Sequence, residues 1–278
     1  MKSTEFITEA VTPKLNAIQL ALNIRAECSE YLNLLRGSTK LLYRGIDSSL
    51  PTCGQKFKFR KRNGPRDTSP VLSKFIDTWF LANFGRAYRI DSTFATGNAT
   101  SASEYGATCA IFPVNGFTYC WGKKIKDLTF DLLRKMPDSP DLTYMPNNKQ
   151  DAELRRQQII IALNKAGYTE TGLQDAIRLN KEVMLYCPNG YYLVNLDYDE
   201  YKSIIALIFS NDIQSDIDIF SAAVTKKIGV LQKEKNKLTA TLQSINKHEG
   251  NVYFWAAEEL RMVDTQIVKL QANLWTPK

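Results

Sequence analysis

Apolar residues in the opening stretch fall three and four apart. Leu15, Ile18 and Leu22 share one helix face, and Pro13 suits a first turn. Tyr31, Leu32 and Leu35 form a second apolar cluster before Gly37, so residues 4–35 read as helical. From Leu41 to about Leu207 the pattern changes to short apolar runs between turn clusters. Strand-like pieces fall at residues 40–43, 57–59, 87–92, 108–113, 182–187 and 191–195. Helical spacing returns at 73–84 and at 151–165, the latter ending on Ala166-Gly167. Asp138-Ser139-Pro140-Asp141 and Pro146-Asn147-Asn148 mark loops. The apolar run at 204–209 has the length of a buried strand, well short of the roughly 20 residues of a membrane span.

The tail has a different period. Phe220, Val224, Ile228, Leu231, Leu238, Leu242 and Ile245 recur in steps of three and four, apart from one gap. After His248-Glu249-Gly250-Asn251 the seam resumes at Leu260, Val263, Ile267, Leu270 and Leu274. A narrow seam interrupted by one turn predicts an antiparallel helical hairpin. Its spacing leaves open whether it packs on its own domain, forms a dimer seam or docks a partner.

The chain has 278 residues, 44% hydrophobic and 23% charged, which suits a globular core in one large domain or two. A net charge of +7 favours acidic partners, among them a dinucleotide's pyrophosphate, nucleic acid and acidic protein surfaces, and selects none of them. The densest basic cluster runs from Lys56 to Arg66, with Phe57 and Phe59 alternating against cations. It reads as a lysine-guarded strand edge or as a platform for an acidic acceptor or nucleic acid. Five cysteines, Cys28, Cys53, Cys109, Cys120 and Cys187, are odd in number and lack close pairs, so buried free thiols are expected and no metal site is. The only histidine is His248, which excludes a Ser-His-Asp triad in the body of the chain and any multi-histidine metal site. It also excludes a transferase whose active site begins with histidine. Met1-Lys2-Ser3-Thr4-Glu5 leads into no apolar secretory core, so a cytoplasmic protein is expected.

Three short motifs carry candidate chemistry: Leu41-Leu42-Tyr43-Arg44-Gly45, then Asp91-Ser92-Thr93-Phe94-Ala95-Thr96-Gly97-Asn98, then Asn180-Lys181-Glu182-Val183-Met184-Leu185. There is no G-x-G-x-x-G and no G-x-x-x-x-G-K-[ST], so the usual phosphate cradles are missing. An arginine, a Ser-Thr strand and a glutamate in this order resemble the arginine–serine–glutamate branch of the ADP-ribosyltransferases, and within it members carried by bacteriophages. Arg89 and Tyr105-Gly106 around the second motif, and Tyr191-Tyr192-Leu193-Val194-Asn195 after the third, extend the likeness over residues 38–200.

The resemblance implies a fold and a set of roles. The fold is α+β, a core of two small, mostly antiparallel sheets over residues 38–210, preceded by a helical segment at 1–37 and followed by a hairpin at 211–278. The donor is NAD, with no metal. Glu182 would hold the nicotinamide-ribose hydroxyl and oppose the oxocarbenium-like charge, with Ser92 orienting it. Arg44 would grip the pyrophosphate, where a planar guanidinium serves better than lysine. Gly45 would meet the nicotinamide amide, Thr93 would help line the NAD pocket, and Phe94 or Tyr105 would offer a stacking surface. Asn180 stands where relatives carry Glu or Gln and choose the acceptor, which opens the acceptor to other side chains, a nucleobase or water. Phe94 replaces a serine that relatives often carry. The implied activity is mono-ADP-ribosyl transfer to a macromolecule, a host protein in the phage setting, in host cytoplasm or packaged in a virion. An NAD glycohydrolase and a non-enzymatic basic virion protein are the alternatives.

Overall fold

The computed structural model describes residues 16–38, 40–47, 53–59, 69–126, 128, 146, 148–244 and 250–272. The expected helical segment at 4–15, the cations at 60–66, most of the two expected loops and the turn at 245–249 lie outside these residues. The chain divides into two compact units. Ile24–Asp199 forms one, and the described residues up to Asn23 and from Glu200 onward form the other.

The first unit is built on one antiparallel sheet of eight strands in the order β2-β8-β4-β1-β3-β7-β5-β6. The strands are β1 (Tyr43–Ile46), β2 (Gly54–Phe57), β3 (Thr93–Thr96), β4 (Ala107–Pro113), β5 (Thr118–Gly122), β6 (Tyr168–Thr169), β7 (Glu182–Tyr186) and β8 (Tyr191–Asn195). This corrects the expectation of two sheets. The halves β2-β8-β4-β1 and β3-β7-β5-β6 are joined through a single paired position, Tyr43 with Thr96. Alternation within a strand carries no information about such a junction, which arises from long-range pairing.

Helices begin and end on local signals. Helix α1 (Ala17–Glu27) stops before Cys28, and α2 (Ser29–Leu34) follows it, so the described part of the expected helical segment holds two helices. In α3 (Pro70–Phe84) the Ser69 hydroxyl accepts the Leu72 N–H at 3.2 Å and Pro70 opens the first turn. Gly85 closes α3 in the left-handed region at φ 70°. Short α4 (Ala99–Ser103) precedes β4, and α5 (Lys149–Ala166) starts on an Asn148 cap and ends at Gly167. Helix α6 (Leu173–Arg178) leads into β7. Leu72, Ile76 and Phe80 of α3 and Ile159, Ala162 and Leu163 of α5 pack with Met184 of β7 and Cys120 of β5 into one core. Removing this apolar surface from water is the main drive to fold.

Four readings shift. Strand β2 (Gly54–Phe57) shares only Phe57 with the expected 57–59. Strand β1 lies three residues beyond the expected 40–43. Residues 87–92 form no strand; Tyr88 to Ile90 make a turn in which the Ala87 carbonyl accepts the Asp91 N–H at 2.9 Å and Asp77 of α3 accepts the Arg89 N–H at 2.8 Å. The run at 204–209 lies in a helix, α7 (Tyr201–Phe209), with Ile204, Leu207 and Ile208 buried. An apolar run that short fits either element, and only packing decides.

In the second unit, α8 (Ile213–Ser244) and α9 (Gly250–Gln271) pack along a seam of Val224, Leu231, Val263, Ile267 and Leu270. Lys235 and Asp264 pair across it at 2.7 Å. No helix among the described residues is long and apolar enough to cross a membrane.

Candidate functional site

The three motif strands are far apart in the chain and consecutive in the sheet: β1, β3, β7. Their register forms a row. Tyr43 stands opposite Thr96, and Thr96 stands opposite Glu182. In-register partners share a face, so Tyr43, Thr96 and Glu182 project together. Alternation extends that face to Phe94, Met184 and Tyr186, while Thr93, Ala95, Val183 and Leu185 fill the other. Burial follows this split only in part. Glu182, Tyr186, Phe94 and Thr96 are half-buried, but Met184 on their face is buried in the core with α3 and α5, as Thr93, Ala95, Val183 and Leu185 are buried on the other.

Arg44 follows Tyr43 and crosses the gap where β1 and β3 stop pairing. Its Nη1 donates to Thr93 Oγ1 at 2.7 Å and to the Phe94 carbonyl at 3.5 Å, and its Nε is buried with no hydrogen-bond partner among the described residues. Its guanidinium also acts on two thiols. Burial pushes Cys109 and Cys187 up to about 12, and the Arg44 charge pulls against that rise in both. Contact with Thr93 means that Arg44 reaches β3 from the face opposite Glu182. Thr93 and Thr96 are three positions apart, roughly 10 Å along a strand.

Ser92 precedes β3 and is 3% exposed, and its Oγ has no partner among the described residues. The register puts it at the Tyr186 end of β7 rather than beside Glu182. The hydroxyl opposite the carboxylate belongs to Thr96, which the motif reading passed over. Its signal was the register, which becomes visible only once β3 is known to begin at Thr93. Glu182 enters β7 with its N–H donated to the Lys126 carbonyl at 2.8 Å.

Two glycines explain parts of the motifs. A Cβ on Gly45 would collide with the Ala102 carbonyl and come within 2.8 Å of Tyr105 Cβ, so α4 packs directly on β1 there. A Cβ on Gly97 would collide with the Ile177 carbonyl, so α6 is drawn against the end of β3. Asn98 then caps α4, its Oδ1 accepting the Thr100 N–H at 2.9 Å. Tyr105 covers Gly45 and remains 54% exposed. Asn180 is exposed at φ 55°, in the left-handed region. The bonds Asn180 N–H to Ile177 carbonyl (3.1 Å) and Lys181 N–H to Ala176 carbonyl (2.9 Å) close α6 as a Schellman motif with Asn180 at the C′ position.

Next to the site, the turn before β3 is held from two sides. Tyr88 donates its hydroxyl to Glu170 at 2.5 Å, and the guanidinium of Arg89 lies 5.9 Å from the Phe94 ring centre. Arg89 is 9% exposed and its Nε has no partner among the described residues. Burial raises the Asp77 carboxyl above its ordinary value, while the Arg89 N–H and charge oppose that rise. The Arg86 guanidinium lies 3.6 Å above the Tyr186 ring.

Of the expected basic platform, Lys56 lies in the edge strand β2, pairs with Glu27 and sits 5.4 Å from the Tyr192 ring centre. Phe57 stacks on Tyr191 at 5.7 Å, and Phe59 meets Tyr186 edge-on at 5.3 Å. All five cysteines are free and buried. Among the described residues no group of His, Cys, Asp and Glu has the arrangement to hold a metal ion. The chain matches no known protein family, and no curated protein or solved structure gives a significant match.

Proposed function

We propose that this chain cleaves NAD and transfers ADP-ribose to a macromolecular acceptor. One observation supports the reading most: the arginine, Ser-Thr and glutamate motifs, scattered in sequence, lie on neighbouring strands β1, β3 and β7. A half-buried carboxylate beside a threonine hydroxyl suits a reaction whose sugar gains positive charge as nicotinamide departs. Glu182 is the catalytic carboxylate, bonding the ribose hydroxyl and opposing the charge at the anomeric carbon. Thr96 is the positioning hydroxyl opposite it. As the bond from the anomeric carbon to the nicotinamide nitrogen breaks and neutral nicotinamide leaves, the acceptor nucleophile bonds to that carbon and its proton passes to solvent.

Arg44 ties β3 to β1 where the strands part, through Thr93, on the face opposite Glu182. Phe94, on the face of Glu182, offers the stacking surface. Tyr105 has its backbone duty over Gly45 as well as an exposed ring.

The test uses purified protein and measures NAD binding by calorimetry and nicotinamide release by chromatography. Glu182→Ala should lower release at least a hundredfold while NAD affinity falls only a few-fold. Thr96→Val should lower release about tenfold to a hundredfold. Unchanged release in Glu182→Ala sinks the assignment. Release that does not depend on any added acceptor makes the protein a glycohydrolase. Failure of the wild type to bind NAD leaves a binding protein without this chemistry.

A further inference from the structure

The strongest group of side chains outside that chemistry is at the other end of β3. The Nε of Arg89, which is 9% exposed, and the Oγ of Ser92, which is 3% exposed, have no hydrogen-bond partner among the described residues. Among the described residues the Arg89 guanidinium makes no ion pair. Buried polar groups are normally hydrogen-bonded, and a buried cation is normally paired, because each gives up water to enter the interior. Two such vacancies within three residues of each other leave donors for an anion.

Their placement names its site. Arg89 lies over the Phe94 ring, and Ser92 stands directly before β3, two residues ahead of Phe94. Phe94 is on the face of Glu182, two positions along β3 from Thr96, which stands opposite that carboxylate. Arg86, over Tyr186 of the same face, adds positive charge at the Ser92 end. Asp77 accepts the Arg89 backbone N–H, and with the Tyr88–Glu170 bond it holds the turn in place. A preorganised guanidinium beside a hydroxyl suits the oxygens of a phosphate. We infer that Arg89 and Ser92 form a phosphate socket beside Phe94 at the start of β3, and that it, more than Arg44, grips the donor's pyrophosphate. The identity of the donor rests on the NAD reading; the socket itself does not.

The experiment is calorimetry of the full chain with inorganic pyrophosphate, ADP-ribose, NAD and nicotinamide riboside. Arg89→Gln should weaken pyrophosphate and ADP-ribose at least tenfold and leave nicotinamide riboside unchanged. Arg89→Lys should recover only part of the loss, since an ammonium lacks the planar fork. Arg44→Gln should weaken both anions less than Arg89→Gln does. Ser92→Ala should weaken them several-fold while the unliganded melting temperature holds or rises, because it removes a hydroxyl with no partner. Should Arg89→Gln fail to fold, Ser92→Ala decides. Wild-type affinity for both anions in Arg89→Gln and Ser92→Ala overturns the socket, even if NAD is cleaved. Arg89-dependent pyrophosphate binding without NAD binding keeps the socket and overturns the NAD reading. Binding of none of the four ligands overturns both.

Discussion

Asn180 shows how one residue can be read for chemistry when the backbone already accounts for it. The resemblance makes it a departure at an acceptor-choosing position. Its φ of 55° and its place at C′ of the α6 Schellman motif give a conformational reason for asparagine, the residue after glycine that best tolerates the left-handed region. Asn180→Gly should therefore hold or raise stability by a few tenths of a kcal/mol, whereas Asn180→Glu should cost about 1 kcal/mol. Chemical denaturation of the two variants measures both. Equal stability of Glu and Gly at 180 would contradict the conformational account. Glu182, two residues on, was readable as a polar residue opening an apolar strand, but its partner was not. Ser92 and Thr96 are both hydroxyls near β3, and only register tells which one faces the carboxylate.

At the scale of elements, the fold's legible parts are those with strong local signals. The α5 helix ends where Ala166-Gly167 predicts, and β4, β7 and β8 fall close to their apolar runs. The turn at 88–90 was misread as strand because its supports, Asp77 and Glu170, come from elsewhere in the chain. The junction of β1 with β3 was equally hidden. It rests on one paired position, the Arg44 bridge and the packing of α4 on Gly45. Gly45→Ala should then force α4 off β1 and destabilise the protein by about 1–3 kcal/mol. Its melting transition, compared with wild type, checks this. A silent substitution would mean that the close approach at Ala102 does not matter to the fold.

For the whole molecule, the residues assigned to chemistry, Arg44, Arg89, Ser92, Phe94, Thr96 and Glu182, all belong to the unit Ile24–Asp199. The α8–α9 pair has its own seam of Val224, Leu231, Val263, Ile267 and Leu270. Deleting residues 213–278 should therefore alter acceptor choice or assembly more than NAD cleavage. A soluble truncation that has lost nicotinamide release would put the helix pair in the catalytic machinery. The helical period of the tail was legible because a seam repeats every few residues. The site was legible only as an ordered set of motifs, since pairing among β1, β3 and β7 joins residues with no local signal of one another.

The most direct test of the central claim is incubation of a bacterial lysate with labelled NAD and either wild-type protein or Glu182→Ala. The account predicts label on a discrete macromolecule with the wild type and none with the variant. Equal labelling by both proteins, or intact NAD with both, would contradict it.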